Sequence, residues 1–140
     1  MPSKRPSATI ELQKQLDLAH SKLRTSELLL SLSQRIAGLK NLSEILWTII
    51  ETTTETLRAD RGSLFLNDPL TGELYSRVAQ GELVREIRIL NTTGIAGSIF
   101  QSGVGEIIHD AYADERFNSK IDEQTGYVTK NIVCAPVRTV

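Results

Sequence analysis

The sequence predicts an α+β protein built on an antiparallel sheet, and three observations support this prediction. Apolar residues recur with helical spacing up to Ala59 and mainly with the period of two that is typical of strands after it. The strand-like segments are short, and turn residues separate them, which favours antiparallel pairing. The length of 140 residues suits one ordinary domain, so we expect no multidomain enzyme within these residues.

Residues 9–39 are predicted to form one long helix, because no proline and no glycine interrupts the chain between Pro6 and Gly38. The helix carries a heptad stripe of small and apolar residues. The stripe consists of Leu12, Leu16, Ala19, Leu23, Ser26, Leu30, Ser33 and Ala37. Two readings remain open: an amphipathic helix lying on its own domain, or a coiled-coil helix that pairs with a partner, which we favour. Residues 1–8 are predicted to be disordered.

A second helix is predicted over residues 42–58. Asn41 and Glu44 have the spacing of a helix N-cap, with Asn41 as the capping residue. The residues that follow place apolar side chains at i, i+3 and i+4, which gives the helix one buried face.

Beyond Ala59 the pattern predicts a hairpin and a third strand. The hairpin has strands at residues 62–67 and 73–80, joined by the turn residues 68–72, which include proline and glycine. Residues 85–90 alternate charged residues with isoleucine, which indicates a strand with one face in water.

The remaining sequence predicts a short helix over residues 95–101, which ends at Gly103, and short strands at 106–109 and 131–137. Residues 110–129 are long, polar and irregular for a connection within a compact domain. Connections of this length are usually functional or disordered.

The charge argues against nucleic acid as a partner. Sixteen basic and seventeen acidic residues leave a formal charge of −1, although residues 1–40 carry +4 and the remainder −5. A basic surface would be needed to attract a polyanion. No apolar run approaches the roughly 18 residues that a membrane span requires, and no secretory signal is visible. We therefore expect a cytoplasmic protein without membrane insertion.

The sequence predicts neither a catalytic residue nor a metal site. The motifs of nucleophile-elbow hydrolases, zinc proteases and Walker-type nucleotide-binding proteins do not occur. Cys134 lies within an apolar strand, as an inert buried thiol would, and His109 is interpreted as a surface residue. The acidic residues of 110–129 lack the spacing of a calcium-binding loop.

Two segments have the composition of a ligand site. Residues 110–129 combine aromatic rings, which can stack on a planar ligand, with hydroxyl and carboxylate groups that can recognise a base or a ribose. The alternative is that these aromatic rings only anchor the segment to the sheet. Gly94 to Gly97 would place the free N–H groups of a helix N-terminus where a phosphate could approach them.

The order of these motifs resembles a GAF domain, in particular those of cyclic-nucleotide-regulated phosphodiesterases and cyanobacterial-type adenylate cyclases. The segments that carry the resemblance are LRADRGSLFLND, GELYSRVAQG, IRILNTTGIAGSIFQSG and DAYADERFNSKIDEQTGYVTKNIVCAPV. They divide the chain into a signalling and dimerisation helix at residues 9–39 and a GAF domain at residues 40–140.

The resemblance implies a sensory module: a central antiparallel sheet flanked by helices, with a small-molecule pocket and helices that form a homodimer. Cyclic AMP or cyclic GMP is the implied regulatory ligand, without any other cofactor. Carried over from cyclic-nucleotide-binding relatives, the ligand-binding residues are Ser63, Ile95, Ala96, Asp122, Thr125 and Thr129, with Ile95 and Ala96 acting through their backbone amides.

Two departures from the family pattern shape the expectation. Ala79 and Gln80 stand where cyclic-nucleotide binders have an aromatic residue and an acid, which favours the alternative of a ligand-free dimerisation module. The family also continues with another strand and helix after the CAPV segment. We therefore expect a piece of a longer signalling protein, such as an adenylate cyclase, a phosphodiesterase or a histidine kinase, whose output domain would carry the catalysis.

Overall fold

The computed structural model describes residues 8–79 and 86–138. Within them the chain divides into two compact units, with the boundary between Thr52 and Thr53. The elements in chain order are α1 (Ala8–Ala37), α2 (Leu42–Leu57), β1 (Ser63–Asp68), β2 (Glu73–Ala79), β3 (Arg88–Leu90), α3 (Gly94–Ser102), β4 (Glu106–Ile108), a 3-10 helix (Ala111–Ala113), α4 (Ser119–Thr125) and β5 (Ile132–Cys134).

Helix α1 confirms the predicted long helix, and none of its 30 residues is buried. It begins at Ala8, one residue earlier than expected, so Ala8 is helical, although residues 1–8 were predicted to be disordered; the other seven of these lie outside the described residues. The Arg35 guanidinium donates to Thr52 Oγ1 and Glu51 Oε2, each at 2.9 Å, and so links α1 to α2. Leu30 lies about 140° around the helix from Arg35, because each residue turns the helix by about 100°. The heptad stripe therefore points away from the Arg35 contact.

Helix α2 begins as predicted. The Asn41 side chain accepts a hydrogen bond from the Glu44 backbone N–H at 2.8 Å, which satisfies one of the free donors of the first turn. Leu46 and Ile50 are the buried apolar residues of its stripe.

The strands pair in the antiparallel manner that the sequence predicts. Among the described residues they form a three-stranded sheet in the order β1–β2–β3 and a two-stranded sheet of β4 and β5, instead of one continuous sheet. Helix α3 separates β3 from β4 along the chain and packs on both β3 and β5. The pairing of β1 with β2 shifts register between Leu64 and Phe65.

The turn between β1 and β2 forms as predicted. The Asp68 carboxylate accepts the Leu70 N–H at 2.9 Å, and Gly72 takes a positive φ of 70°, which glycine adopts without steric cost. Gln80 and Arg85, at which the sequence places strand ends, lie outside the described residues.

The second unit has its core between α3 and the β4–β5 sheet. This core consists of the buried Ile95, Ile99 and Ile108, with Phe117, Ile132 and Cys134 packed against them. Gly97 lets the start of α3 approach the end of β3, because a Cβ atom there would lie 3.1 Å from the Thr92 carbonyl carbon. Burial raises the pKa of the Cys134 thiol, as expected for an inert cysteine.

The prediction that residues 110–129 are irregular was wrong for much of the segment. The Asp110 side chain accepts from Tyr112 N and caps the 3-10 helix, while the Asn118 side chain caps α4 by accepting from Lys120 N. Gly126 ends α4 with a φ of 68°. Helix α4 has only one apolar residue, Ile121, so no apolar stripe reveals it in the sequence.

Candidate functional site

The Asp122 carboxylate joins α4 to the segment that precedes β5. Asp122 is only 6% exposed, and three hydrogen bonds reach its two oxygens. The Thr129 hydroxyl donates to Oδ1 at 2.7 Å, and the Thr129 backbone N–H donates to Oδ2 at 2.6 Å. The Tyr112 hydroxyl donates to Oδ2 at 2.9 Å. We call Asp122, Thr129 and Tyr112 the Asp122 cluster.

The hydrogen bonds of the Asp122 cluster hold the carboxylate in its charged form. Burial acts to raise the pKa of Asp122, but the bonds from the Thr129 N–H, the Thr129 hydroxyl and the Tyr112 hydroxyl outweigh it, with a contribution from the positive charge of Arg61. The pKa of Asp122 is therefore lower than usual. The bond to this carboxylate raises the pKa of Tyr112.

Thr125 lies at the end of the same helix. Its hydroxyl donates to the Asp122 backbone carbonyl at 3.3 Å and accepts the Tyr127 N–H at 3.3 Å. Asp122, Thr125 and Thr129, which the family resemblance implies to be ligand-binding residues, are thus close in space. Their polar groups bond to one another and to adjoining residues.

Two further contacts in this part of the chain involve aromatic rings. The Tyr112 ring lies 5.1 Å from the Phe117 ring, and Tyr112 remains 55% exposed. The Tyr127 hydroxyl donates to Asp60 at 3.2 Å, and the Arg61 guanidinium lies 4.1 Å from the centre of the Tyr127 ring. Tyr127 therefore ties the connection before β1 to the segment after α4.

A second polar network surrounds the Arg116 guanidinium. Arg116 donates to both oxygens of Glu106, at 2.8 and 3.1 Å, and to Asp114 Oδ2 at 2.7 Å. It also donates to the Ser98 hydroxyl at 3.1 Å. The segment before α4 is thereby fastened to both α3 and β4. The bonds from Arg116 lower the pKa of Asp114 to about 2 and also lower the pKa of Glu106.

The N-terminus of α3 contains the two residues predicted to bind through their amides. Thr93 precedes the helix without making a side-chain capping bond, and Gly94 opens it with a φ of 72°. Ile95 directs its side chain into the core, and Ala96 is half-buried. The Arg116 carbonyl lies 3.7 Å from where a Cβ on Gly94 would stand, so the segment before α4 passes close to the start of α3.

Ser63 lies on a different element from the other predicted residues. It is the first residue of β1, pairs with Ala79 across the sheet and is exposed. The structure thus groups the predicted residues in three places: β1, the first turn of α3, and α4 with the segment after it.

Sequence reasoning missed the roles of Tyr112 and Arg116. From the sequence, Tyr112 is only one of the aromatic residues of 110–129, whereas in the structure its hydroxyl reaches a carboxylate ten residues away. Arg116 gives little local signal, because only Asp114 is near it in sequence, while Ser98 and Glu106 belong to other elements of the fold.

Within residues 8–79 and 86–138, no group of three or more histidine, cysteine, aspartate or glutamate side chains is arranged to hold a metal ion. In the same part of the chain, no helix is both long enough and apolar enough to cross a bilayer.

Comparison with known proteins matches residues 41–139 to the family model described as GAF domain. The chain is 34% identical over 109 residues to the probable 3′,5′-cyclic phosphodiesterase pde-5 of Caenorhabditis elegans, a match that covers 69% of this chain and 15% of the relative. It is 38% identical over 128 residues to the dual 3′,5′-cyclic-AMP and -GMP phosphodiesterase 11 of Drosophila melanogaster, covering 80% of this chain and 9% of the relative.

Among solved structures, the fold is similar to the GAF domain of a phosphoenolpyruvate-protein phosphotransferase from Coxiella burnetii. The TM-score is 0.65 at 23% identity, and the match covers 73% of this chain and 61% of that chain. At this level of identity the likeness concerns the fold alone.

Proposed function

This chain belongs to the GAF domain family, and on that premise we propose that it binds a cyclic nucleotide and regulates the output domain of a longer signalling protein. The observation that carries this proposal is the identity of 34% and 38% to two cyclic-nucleotide phosphodiesterases. The chain spans only 15% and 9% of those relatives, so a regulatory module within a larger protein fits the comparison.

The proposed ligand contacts divide according to chemistry. The first-turn amides of α3, at Ile95 and Ala96, suit the anionic phosphate, because a helix N-terminus presents N–H donors and a partial positive charge. The hydroxyl of Thr129 and the region around Asp122 and Thr125 suit the base or the ribose. Ser63 would contribute from β1.

Isothermal titration of the full chain with cyclic AMP and with cyclic GMP tests this proposal. We expect one of them to bind, and Thr129→Ala to weaken that binding because it removes a hydroxyl from the proposed site. Thr71→Ala is the matched control, since Thr71 lies in the exposed turn between β1 and β2. No heat of binding at millimolar concentrations of either nucleotide would overturn the proposal.

We propose further that α1 forms a homodimer through its heptad stripe. Leu23 and Leu30 of the stripe are 56% and 61% exposed, and the stripe points away from the Arg35 contact with α2. A helix with an exposed apolar heptad stripe is stabilised when a second helix covers that stripe.

Analytical ultracentrifugation tests this part of the proposal. Leu23→Gln combined with Leu30→Gln should convert a dimer into a monomer. Leu18→Gln should not, because Leu18 is equally exposed, at 57%, but lies about 140° around the helix from Leu23. A wild-type chain that sediments as a monomer at high concentration contradicts the proposed dimer.

The output domain we propose is that of an adenylate cyclase, a phosphodiesterase or a histidine kinase in the cytoplasm, a location that suits the free Cys134. Fusion of this chain to each catalytic domain, assayed with and without cyclic nucleotide, would identify the compatible output. If the catalytic activity of every fusion is the same with and without nucleotide, this result argues against regulation.

The second candidate is a ligand-free GAF module that only dimerises and spaces its neighbours. The hydrogen bonds within the Asp122 cluster favour this alternative, since both carboxylate oxygens already accept bonds from the protein itself. Under this alternative no nucleotide binds, and Thr125→Ala and Thr129→Ala leave signalling and dimerisation unchanged. Under the first proposal they abolish the nucleotide response and leave the dimer intact.

A further inference from the structure

The direction of each hydrogen bond in the Asp122 cluster is determined by the charge of the carboxylate. An ionised carboxylate can only accept. The Thr129 hydroxyl, 2.7 Å from Oδ1, and the Tyr112 hydroxyl, 2.9 Å from Oδ2, therefore both commit their single proton to Asp122. The Thr129 N–H is committed to the same carboxylate at 2.6 Å.

A hydroxyl whose proton is already donated can only accept further bonds, through its lone pairs. Thr129 is half-buried and Tyr112 is largely exposed, so their oxygens can still meet a ligand. Asp122, with 6% exposure and three internal bonds, has little surface left for a direct contact. Toward a ligand, this part of the site thus presents acceptors, although its side chains are nominally donors as well.

We propose that Asp122 is a positioning residue that sets the hydrogen-bond polarity of the site: it makes the Thr129 oxygen an acceptor and so selects ligands that carry a hydroxyl or amino donor there. This inference rests on the proposed function, because it names the ligand chemistry of the same site. A phosphate oxygen, which is itself an acceptor, is disfavoured beside Thr129. The phosphate is then left to the α3 amides, where donors are available.

The experiment compares a nucleotide with derivatives that lack one donor. Titration calorimetry on the full chain uses whichever of cyclic AMP and cyclic GMP binds, its 2′-O-methyl derivative and its derivative with a dimethylated base amino group. The wild-type chain should bind one of the two derivatives roughly 3- to 10-fold more weakly, the effect of one lost hydrogen bond. The derivative that loses affinity identifies ribose or base as the donor.

Asp122→Asn tests whether the carboxylate sets this polarity. The asparagine amide can donate to Thr129 Oγ1, which turns the hydroxyl proton outward and removes the demand for a ligand donor. The discrimination between nucleotide and derivative should then fall below about 2-fold. A merely structural role of Asp122 would weaken both ligands equally. Thr129→Val, which removes the acceptor, should also abolish the discrimination, and it serves as the test if Asp122→Asn does not fold.

The outcomes separate the two levels of the proposal. If the wild-type chain binds neither nucleotide, the proposed function fails and this inference falls with it. If it binds but treats both derivatives like the parent, or if Asp122→Asn and Thr129→Val keep the full discrimination, only the inference is overturned. The inference is supported if the wild-type chain binds the nucleotide more tightly than one derivative and this difference disappears in a folded Asp122→Asn or Thr129→Val variant.

Discussion

Helix α1 and the segment from α3 to β5 use their apolar side chains in opposite ways. None of the 30 residues of α1 is buried, and Leu23 and Leu30 are more than half exposed. In the segment from α3 to β5, Ile99 is 2% exposed and Ala111 is completely buried. Long-range side-chain bonds, such as those of Arg116 and Asp122, add to the packing of this segment.

The difference shows which forces hold each region in place. Helix α1 depends on local helix propensity and on bonds between neighbouring turns, such as Gln15 to Glu11 at 3.2 Å. Such bonds stabilise a helix only weakly. The segment from α3 to β5 consists of short elements that would not persist alone, so burial and cross-element hydrogen bonds must hold it.

The largest difference in stability between the two regions is expected when a core side chain is truncated. Ile99→Ala is expected to lower the free energy of unfolding by about 2–5 kcal/mol, because it leaves a cavity among Ile95, Ile108 and their neighbours. Urea denaturation followed by circular dichroism measures this change. Leu30→Ala on α1 is the control and should cost under about 0.5 kcal/mol at concentrations where the chain is monomeric. Equal losses in both variants would break the comparison.

An added methyl group should also destabilise the segment from α3 to β5 more than the end of α1. Gly97→Ala is expected to destabilise the protein by about 1–3 kcal/mol, because its Cβ would stand 3.1–3.2 Å from backbone atoms of Thr92, Asn91 and Leu90. Gly38→Ala, just after α1, is the matched control, since a Cβ there has nothing within 4 Å. Thermal unfolding measures both, and a stable Gly97→Ala would show that α3 can move away from β3.

The smallest expected effect concerns acid. The pKa of Asp114 is lowered from 3.8 to about 2 by Arg116, so the Asp114 bonds stabilise the fold above about pH 4 and are lost as the pH falls toward 2. The difference in stability between wild type and Asp114→Asn should therefore shrink across this window, as measured by urea denaturation at each pH.

Glu51→Gln, which removes the negative charge from the exposed ion pair with Arg35 in the first unit, is the comparison for this experiment. Exposed pairs of this kind contribute roughly 0–1 kcal/mol. A difference between wild type and Asp114→Asn that stays constant from pH 5 to pH 2 would show that Arg116 does not hold the Asp114 carboxylate in its charged form.

Much of the fold could be predicted from local pattern. The uninterrupted run before Gly38 predicts α1, and the Asn41 cap predicts the start of α2. The turn at Asp68 and Gly72 predicts the pairing of β1 with β2. These elements are readable because the residues that specify them lie within a few positions of one another.

Helix α4 and the Arg116 network could not be read in this way. Helix α4 has a cap at Asn118 and a stop at Gly126, but a single apolar residue between them gives no periodicity. The partners of Arg116 come from α3, β4 and its own segment. The family resemblance implies that Asp122, Thr125 and Thr129 bind the ligand, but it does not imply that the two threonines both bond to Asp122.

The sequence by itself therefore determined α1, α2, α3 and the hairpin, because capping, turn geometry and apolar periodicity act over a few residues, and the order of its motifs determined the family. Only the tertiary structure decided that α1 keeps its apolar stripe exposed and that Asp122 receives its bonds from Tyr112 and Thr129. Burial and hydrogen-bond direction depend on which distant residues meet in space. Here the 3-10 helix, α4 and the segment before β5 come together around Asp122, and no local pattern records that meeting.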